Sequence, residues 1–367
     1  MPSLWQTPTT HDAANDAMGS EATMKPVTRN HVLGLFLGLA AALPGPALAQ
    51  GSLNLYCSAQ VEWCQAAANT FQRETGIRVS VSQKGSGEVL AQIRAEAQNP
   101  RGDIWFGGTG DPHLQAAEDN LTAEYRSPAL DQLLDWAQRQ ARESKYRTVG
   151  IYAGALGFGY NTELLARRNI APPTSWADLL DARFKGEIQM ADPRSSGTAY
   201  VMIATIVQIM GEEKAFEYLR ALHRNINAYP RSGTGPIKAV ARGETGVSIS
   251  FVHDAVTERL GGFPVSSVIP SEGTGYEIGS MSIIRGARNE RQARRFYDWA
   301  LTPAAQALGA ETKQFQTPSN RATPVPPEAP PLSQIRLIDY DFAKFGASAE
   351  RRRLIERWER EVNSLPR

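Results

Sequence analysis

From about residue 50 onward, short apolar runs alternate with stretches whose apolar residues recur at helical spacing. Leu53 to Tyr56 alternates and is read as a strand. Glu62 to Thr75 is an amphipathic helix stopped by Gly76, since glycine takes the left-handed conformation of a helix C-cap. Ile77 to Val81 gives a second strand, KGSGEV a turn, Val89 to Ala97 a helix, and Asp103 to Phe106 a third strand that stops at GGTGDPH. Alternation of this kind predicts βαβ units and a mostly parallel sheet, with ligands at the carboxyl ends of the strands.

Farther on, Leu114 to Glu118 and Pro128 to Ala141 are expected to be helical, and TVGIYAGALGFGYNTELL is a β-rich, glycine-dotted stretch suited to crossing between two lobes. A second alternation starts at Trp176 to Leu180, with Glu187 to Ala191 as a strand. SSGTAYVMIATIVQIM follows as a turn and a buried helix, then Glu212 to Leu222 as an amphipathic helix. RSGTGPIKAVARGE leads through a turn and helix to Gly246 to Met281, where an apolar strand ends in His253 and Asp254 and a later polar turn carries Glu277. Ser280 to Ile284 crosses back, and Glu290 to Leu301 is a helix on the first lobe. TPSNRATPVPPEAPPLSQ is an extended surface connection, and Ala347 to Val362 is a charged helix, either a solvated face or a brace across the lobes.

Length and composition change this picture modestly. A chain of 367 residues suits about two domains. Lys plus Arg (39) nearly balance Asp plus Glu (38), and no basic run is interleaved with aromatics, so no nucleic-acid partner is expected. Met24 to Gln50 reads as a signal peptide. Lys25 and Arg29 precede an apolar Val32 to Leu43, too short to span a bilayer, and cleavage follows Ala47-Leu48-Ala49. Residues 1–23 lack apolar periodicity and are read as a disordered leader or an extension ahead of the true start at Met24. Cys57 and Cys64 flank the first strand-to-helix turn; in an oxidising compartment such a pair is expected to close a small staple, and their spacing is not C-x-x-C.

Three turns share one design: KGSGEV with Ser86, SSGTAY with Ser196, Gly197 and Thr198, and RSGTGP with Ser232 and Thr234. Each sets small hydroxyl and glycine residues ahead of a helix, where unpaired N–H groups and the helix dipole favour an anion. Ordinary N-capping explains the same residues equally well. GGTGDPH contributes Gly108 and Thr109 as candidates, with Asp111 and Pro112 expected to start a helix and His113 expected at the surface; Ser58 beyond the first strand joins the candidates. The chain has neither G-x-x-x-x-G-K-[ST] nor G-x-G-x-x-G, so no nucleotide cofactor is expected. His253, Asp254 and Glu277 suit a metal, acid–base catalysis, or carboxylates accepting hydrogen bonds from a polyol, and a capping Asp beside a satisfied His is the plain alternative. Ser248 and Ser250 lack the G-x-S-x-G elbow, which weakens catalysis.

LNLYCSAQ, FQRETGI, DIWFGGTGD, GALGFGYNT, MADPRSSGTAY, AVARGE and PSEGTGYEIG occur in this order over nearly the whole exported chain. As a set they resemble the ferric-iron-type periplasmic solute-binding proteins of ATP-binding-cassette (ABC) importers. The iron-binding members use adjacent tyrosines. This sequence has Phe251-Val252-His253-Asp254 in their place, and that phrase with EGTGYEIG looks like the sugar-phosphate-binding branch. The resemblance implies an α/β, two-lobed periplasmic binding protein of type II, each lobe a mixed sheet flanked by helices, with a β-strand hinge. Lobe 1 is expected at 50–154 and 277–330, lobe 2 at 155–276, and a C-terminal helical segment at 331–367. It implies a periplasmic, non-enzymatic carrier of a phosphorylated sugar or related organophosphate, partnered with an ABC transporter permease, in which His253, Asp254 and Glu277 hold the ligand. The alternatives are ferric iron on Tyr200, Tyr276, His253 and Glu277 with an anion, and an exported phosphate-ester hydrolase acting through His253 and Asp254.

Overall fold

The computed structural model describes residues 51–367; the leader and signal-peptide expectations lie outside the described residues. In chain order, β1 (Ser52–Cys57), α1 (Val61–Thr75), β2 (Arg78–Gln83), α2 (Ser86–Ala95), β3 (Ile104–Phe106) and α3 (Gly110–Glu118) form the first run. α4 (Asp135–Glu143), the long β4 (Val149–Asn161) and α5 (Thr162–Arg167) follow. Next come β5 (Ile188–Gln189), α6 (Gly197–Met210), α7 (Glu212–His223), β6 (Ile226–Ala228), α8 (Gly235–Ala241), β7 (Val247–Phe251), α9 (Val252–Leu260) and β8 (Val265–Val268). β9 (Tyr276–Ile283), α10 (Glu290–Ala300), α11 (Pro303–Glu311), β10 (Thr317–Pro318), α12 (Phe342–Phe345) and α13 (Ser348–Trp358) complete the strands and α-helices of the described residues.

The strands join one mixed sheet in the order β2-β1-β3-β9-β4-β7-β5-β6, with β8 and β10 also pairing with β4. β1 runs parallel to β2 and β3, and β5 parallel to β6 and β7, as the alternation predicts. β9 and β4 are the antiparallel insertions. β4 is where the sheet changes partners. Val149 to Ala155 pairs with β9, whereas Leu156 to Tyr160 pairs with β7 and Phe158 to Asn161 with β8. Its nearly unbroken apolar run follows, because this strand is covered on both faces.

Two large apolar clusters lie on either side of that change. One joins Leu55, Phe71, Phe106 and Phe296; the other joins Phe158, Trp176, Tyr200, Phe216 and Trp358. Each such side chain contributes about 1.5–3 kcal/mol by leaving water. α6 carries apolar residues all round and is buried through most of its length, as expected for a helix at the centre of a core.

Some local expectations need correction. Pro128 to Ala141 is not one helix: a 3-10 turn at Leu130–Gln132 is followed by extended backbone at Leu133, and α4 starts only at Asp135. α3 is capped by Thr109, so Pro112 is its third residue and Asp111 is not its cap. His113 is buried rather than at the surface, stacked on Trp105 with ring centroids 3.5 Å apart and bonded to Ser282 Oγ and the Gly107 carbonyl. His253 and Asp254 do not end the strand; β7 stops at Phe251 and both lie in the first turn of α9. The C-terminal helix is a brace. Leu354 and Trp358 enter the second core, Arg353 and Arg357 pair with Glu212 on α7, and the Ser348 amide donates to Glu118 of α3 at 2.6 Å.

Candidate ligand-binding cleft

The turns after β1, β2, β3 and β7 and the N-terminal ends of α2, α3 and α6 surround a polar cleft. Its lining contains every candidate: Ser58, Ser86, Gly108, Thr109, Ser196, Gly197, Thr198, Ser232, Thr234, His253, Asp254 and Glu277. Residues more than two hundred positions apart thus meet because parallel strands direct their carboxyl-end turns to one edge.

At one end, three helix starts converge. Ser86 opens α2, Thr109 caps α3 and Gly197 opens α6. The Ser86 and Thr109 hydroxyl oxygens are 3.3 Å apart. A Cβ on Gly197 would lie 1.8 Å from Thr109 Oγ1 and 2.4 Å from Ser86 Oγ, so only glycine permits this approach. The capping account holds for Ser196, whose Oγ accepts from the Ala199 amide at 3.4 Å. Thr109 makes no side-chain capping bond and turns toward Ser86 instead. The Ser86, Thr109 and Thr198 hydroxyls stand among these three helix starts, whose dipoles favour an anion, although Glu88 and Asp111 occupy two of the first turns and the Gly87 amide is taken by the Ser195 carbonyl.

The opposite end is acidic and buried. His253, 2% exposed, lies with Nε2 3.7 Å from Asp254 Oδ1 and 3.8 Å from Glu277 Oε1, too far for direct hydrogen bonds. Its ring stacks on Phe251, and its Nδ1 has no protein partner among the described residues. The ring fits because residue 154 is glycine; a Cβ there would approach Nδ1 to 2.4 Å. Burial pushes the imidazole down to about 3, so it is neutral at physiological pH and can both donate and accept. Burial lifts the Asp254 carboxyl to about 7, opposed by the Gln60 amide, which donates to Oδ1 at 2.6 Å. Glu277 is held well above the usual carboxylate range by burial and by the Asp254 and Asp111 charges. A neutral imidazole between two proton-retaining carboxyls can exchange several hydrogen bonds with hydroxyl groups.

Gln60, Gln83, Lys84, Gly85, Tyr152, Gly233, Phe251 and Gln316 also line the cleft and were missed. Lys84, Gly85 and Gly233 stand inside the turns singled out from sequence. Gln60 lies in the loop closed by the Cys57–Cys64 disulfide, at the carboxyl end of β1, and strand-end position was the clue to it. Tyr152 reads as an ordinary core tyrosine; its oxygen accepts from the Gly108 amide at 2.9 Å, leaving its own proton to be donated. Nothing local marks Gln316. The iron ligand set is not assembled. Tyr200 is buried with its hydroxyl on the Phe345 carbonyl, Tyr276 packs against Tyr340 and Phe342, and neither lines the cleft.

A mixed α/β fold with a polar cleft at its strand ends defines a binding protein for a small polar molecule. The family described as bacterial extracellular solute-binding protein matches residues 108–345, and the chain belongs to it. It is 46% identical to the periplasmic binding protein AfuA from Actinobacillus pleuropneumoniae, solved with exogenous fructose-6-phosphate bound; the match covers 86% of this chain and 100% of that one, with a TM-score of 0.84. The structure of the periplasmic binding protein P5PA is 41% identical, with 85% and 100% covered and a TM-score of 0.83. An uncharacterised protein of Haemophilus influenzae is 42% identical over 328 residues, 89% of this chain and 95% of that one.

Proposed function

We propose that this protein captures a phosphorylated sugar or related organophosphate in the periplasm and delivers it to the membrane permease of an ABC importer. The observation that carries the reading is the polarity of the cleft. The end built from the first turns of α2, α3 and α6 suits a phosphate, and the buried end, with His253, Asp254 and Glu277, suits sugar hydroxyls. The relative solved with fructose-6-phosphate supports the ligand class. Family membership and the export pattern of residues 24–49 support the compartment, and the permease follows from the resemblance to importer proteins. In this reading residues 50–154 with 277–330 form one lobe and 155–276 the other, β4 serves as the hinge strand, and 331–367 braces them.

Charge-assisted hydrogen bonds in a closed cleft give an expected dissociation constant of micromolar or tighter, about −8 kcal/mol or better. Titration calorimetry on refolded, ligand-free protein tests this with fructose 6-phosphate, fructose and ferric citrate. Heat from the phosphorylated sugar is expected, with fructose binding measurably but far more weakly and ferric citrate giving none. Heat from ferric citrate with none from hexose phosphates would overturn the reading, and so would catalytic release of phosphate from the ester.

A further inference from the structure

Arg351 on α13 is only 5% exposed, and its surroundings are unusual for a buried cation. Its Nη2 donates to the Pro193 carbonyl at 3.0 Å, in the loop that leads to Ser196. The same nitrogen would lie 2.9 Å from a Cβ on Gly87, the second residue of α2. The guanidinium covers the Tyr200 ring in the first turn of α6 at 4.6 Å, and Asp111 in the first turn of α3 acts on its charge. Its Nη1 has no protein partner among the described residues. One guanidinium therefore stands directly behind the three helix starts that meet at Ser86, Thr109 and Gly197, on the side away from the cleft.

A guanidinium stays charged in any protein setting, and in a poorly screened interior its field reaches well beyond contact distance. Asp111 is the carboxylate whose charge opposes it, and Tyr340 donates a hydrogen bond to Asp111 Oδ1 at 3.1 Å. Helix dipoles act only over their first turn. A fixed cation behind three of them adds a longer-ranged attraction that a neutral sugar does not feel.

We propose that Arg351 is a specificity-determining positioning residue: without touching the ligand, its fixed charge behind the first turns of α2, α3 and α6 favours a phosphorylated over an unphosphorylated sugar. This rests on the organophosphate reading of the cleft. The test is calorimetry on the full chain with fructose 6-phosphate, inorganic phosphate and fructose, for the wild type, Arg351→Met, Arg351→Lys and Asp111→Asn, with thermal melts as a folding control. Arg351→Met is expected to weaken both phosphate-bearing ligands by about 10- to 30-fold while changing fructose by less than about twofold, and Arg351→Lys to recover most of the loss. Asp111→Asn keeps the shape of the cluster but removes the opposing charge, so phosphate binding is expected to tighten, whereas a purely structural role for the cluster would only loosen it. Equal loss for fructose and fructose 6-phosphate in Arg351→Met, or unchanged or weaker phosphate binding in Asp111→Asn, overturns the proposal. If the wild type binds neither phosphate nor its ester, the organophosphate reading fails and this inference with it; if the wild type binds them and the variants match it, this inference fails alone.

Discussion

Asp254 opposes folding at neutral pH because the folded state holds its carboxyl in a buried place. With its folded value raised to about 7, the native protein retains a proton between about pH 4 and pH 7 that the unfolded chain has released. Stability from this group is therefore greatest in acid, falls as pH rises through that window, and is level above it. His253 acts in the opposite sense. Its value is depressed to about 3, so the unfolded chain takes up a proton between about pH 6.5 and pH 3 that the native state refuses, and stability falls as pH drops through that window. Replacing Asp254 by Asn keeps an acceptor for Gln60 and removes the ionisable group. The ligand-free variant is expected to be more stable than wild type at pH 8 by on the order of 2 to 4 kcal/mol, with the gain shrinking toward pH 4. Its affinity for a hexose phosphate should fall by about 1 kcal/mol, since the amide offers the ligand a different donor and acceptor pattern from the carboxyl. Denaturant titrations across this pH range and calorimetry check both halves, and a pH-independent stability difference would sink the argument. The imidazole and carboxyls stood out in the sequence because they interrupt apolar runs. Gln60 did not, because its partner Asp254 is 194 residues away and nothing in the local pattern announces the pairing.

At the scale of elements, the cleft depends on how closely the first turns of α2, α3 and α6 approach one another. Gly197 sets that spacing, since any Cβ there would collide with Thr109 and Ser86. Overpacking a tight contact costs about 1–3 kcal/mol. Gly197→Ala is accordingly expected to weaken hexose-phosphate binding by about tenfold or more, read by calorimetry, because the helix starts must separate to admit the methyl. Binding within about twofold of wild type would show that the turns adjust freely. The loop between β1 and α1 is held differently, by the bond between Cys57 and Cys64, and it presents Ser58, Ala59 and Gln60 to the cleft. Closing a loop this short is worth about 2.5 kcal/mol in the chain-entropy account. Serine at both positions should lower unfolding stability by about that amount in denaturant titrations, and no change would show that packing alone fixes the loop. Helix and strand identity in this region was legible from periodicity, turn chemistry and Gly76. The start of α9 was not, because Phe251-Val252-His253 continues the apolar pattern of β7 straight into the helix and only the backbone angles separate them.

At the scale of the whole molecule, the parallel βαβ runs were legible, and crossings at TVGIYAGALGFGYNTELL and at Ser280 to Ile284 were expected from length, small residues and strand pattern, but which strands they pair with was not. Strand order depends on which long apolar segments find each other, and β4 pairs with partners on either side that lie more than eighty residues on. On the proposed two-lobe reading, three contacts close the lobes on each other. The Gly87 amide donates to the Ser195 carbonyl at 3.1 Å, Gln60 reaches Asp254, and Arg231 pairs with Glu88, each contact joining segments that flank opposite sides of the cleft. On that reading none involves a large apolar surface and exposed ion pairs contribute little, so these contacts alone hold the lobes together weakly. On the proposed reading a ligand that touches both sides supplies the rest, and it moves the equilibrium only by its preference for the closed form. Small-angle scattering should then show a smaller radius of gyration with saturating fructose 6-phosphate than without it. Ligand at about a thousand times its dissociation constant should add about 4 kcal/mol to stability and raise the melting temperature by several degrees. Gly197→Ala, with its helix starts held apart, should stay extended at a ligand concentration that compacts the wild type. If wild type and variant compact equally, the contact among α2, α3 and α6 is not what limits closure.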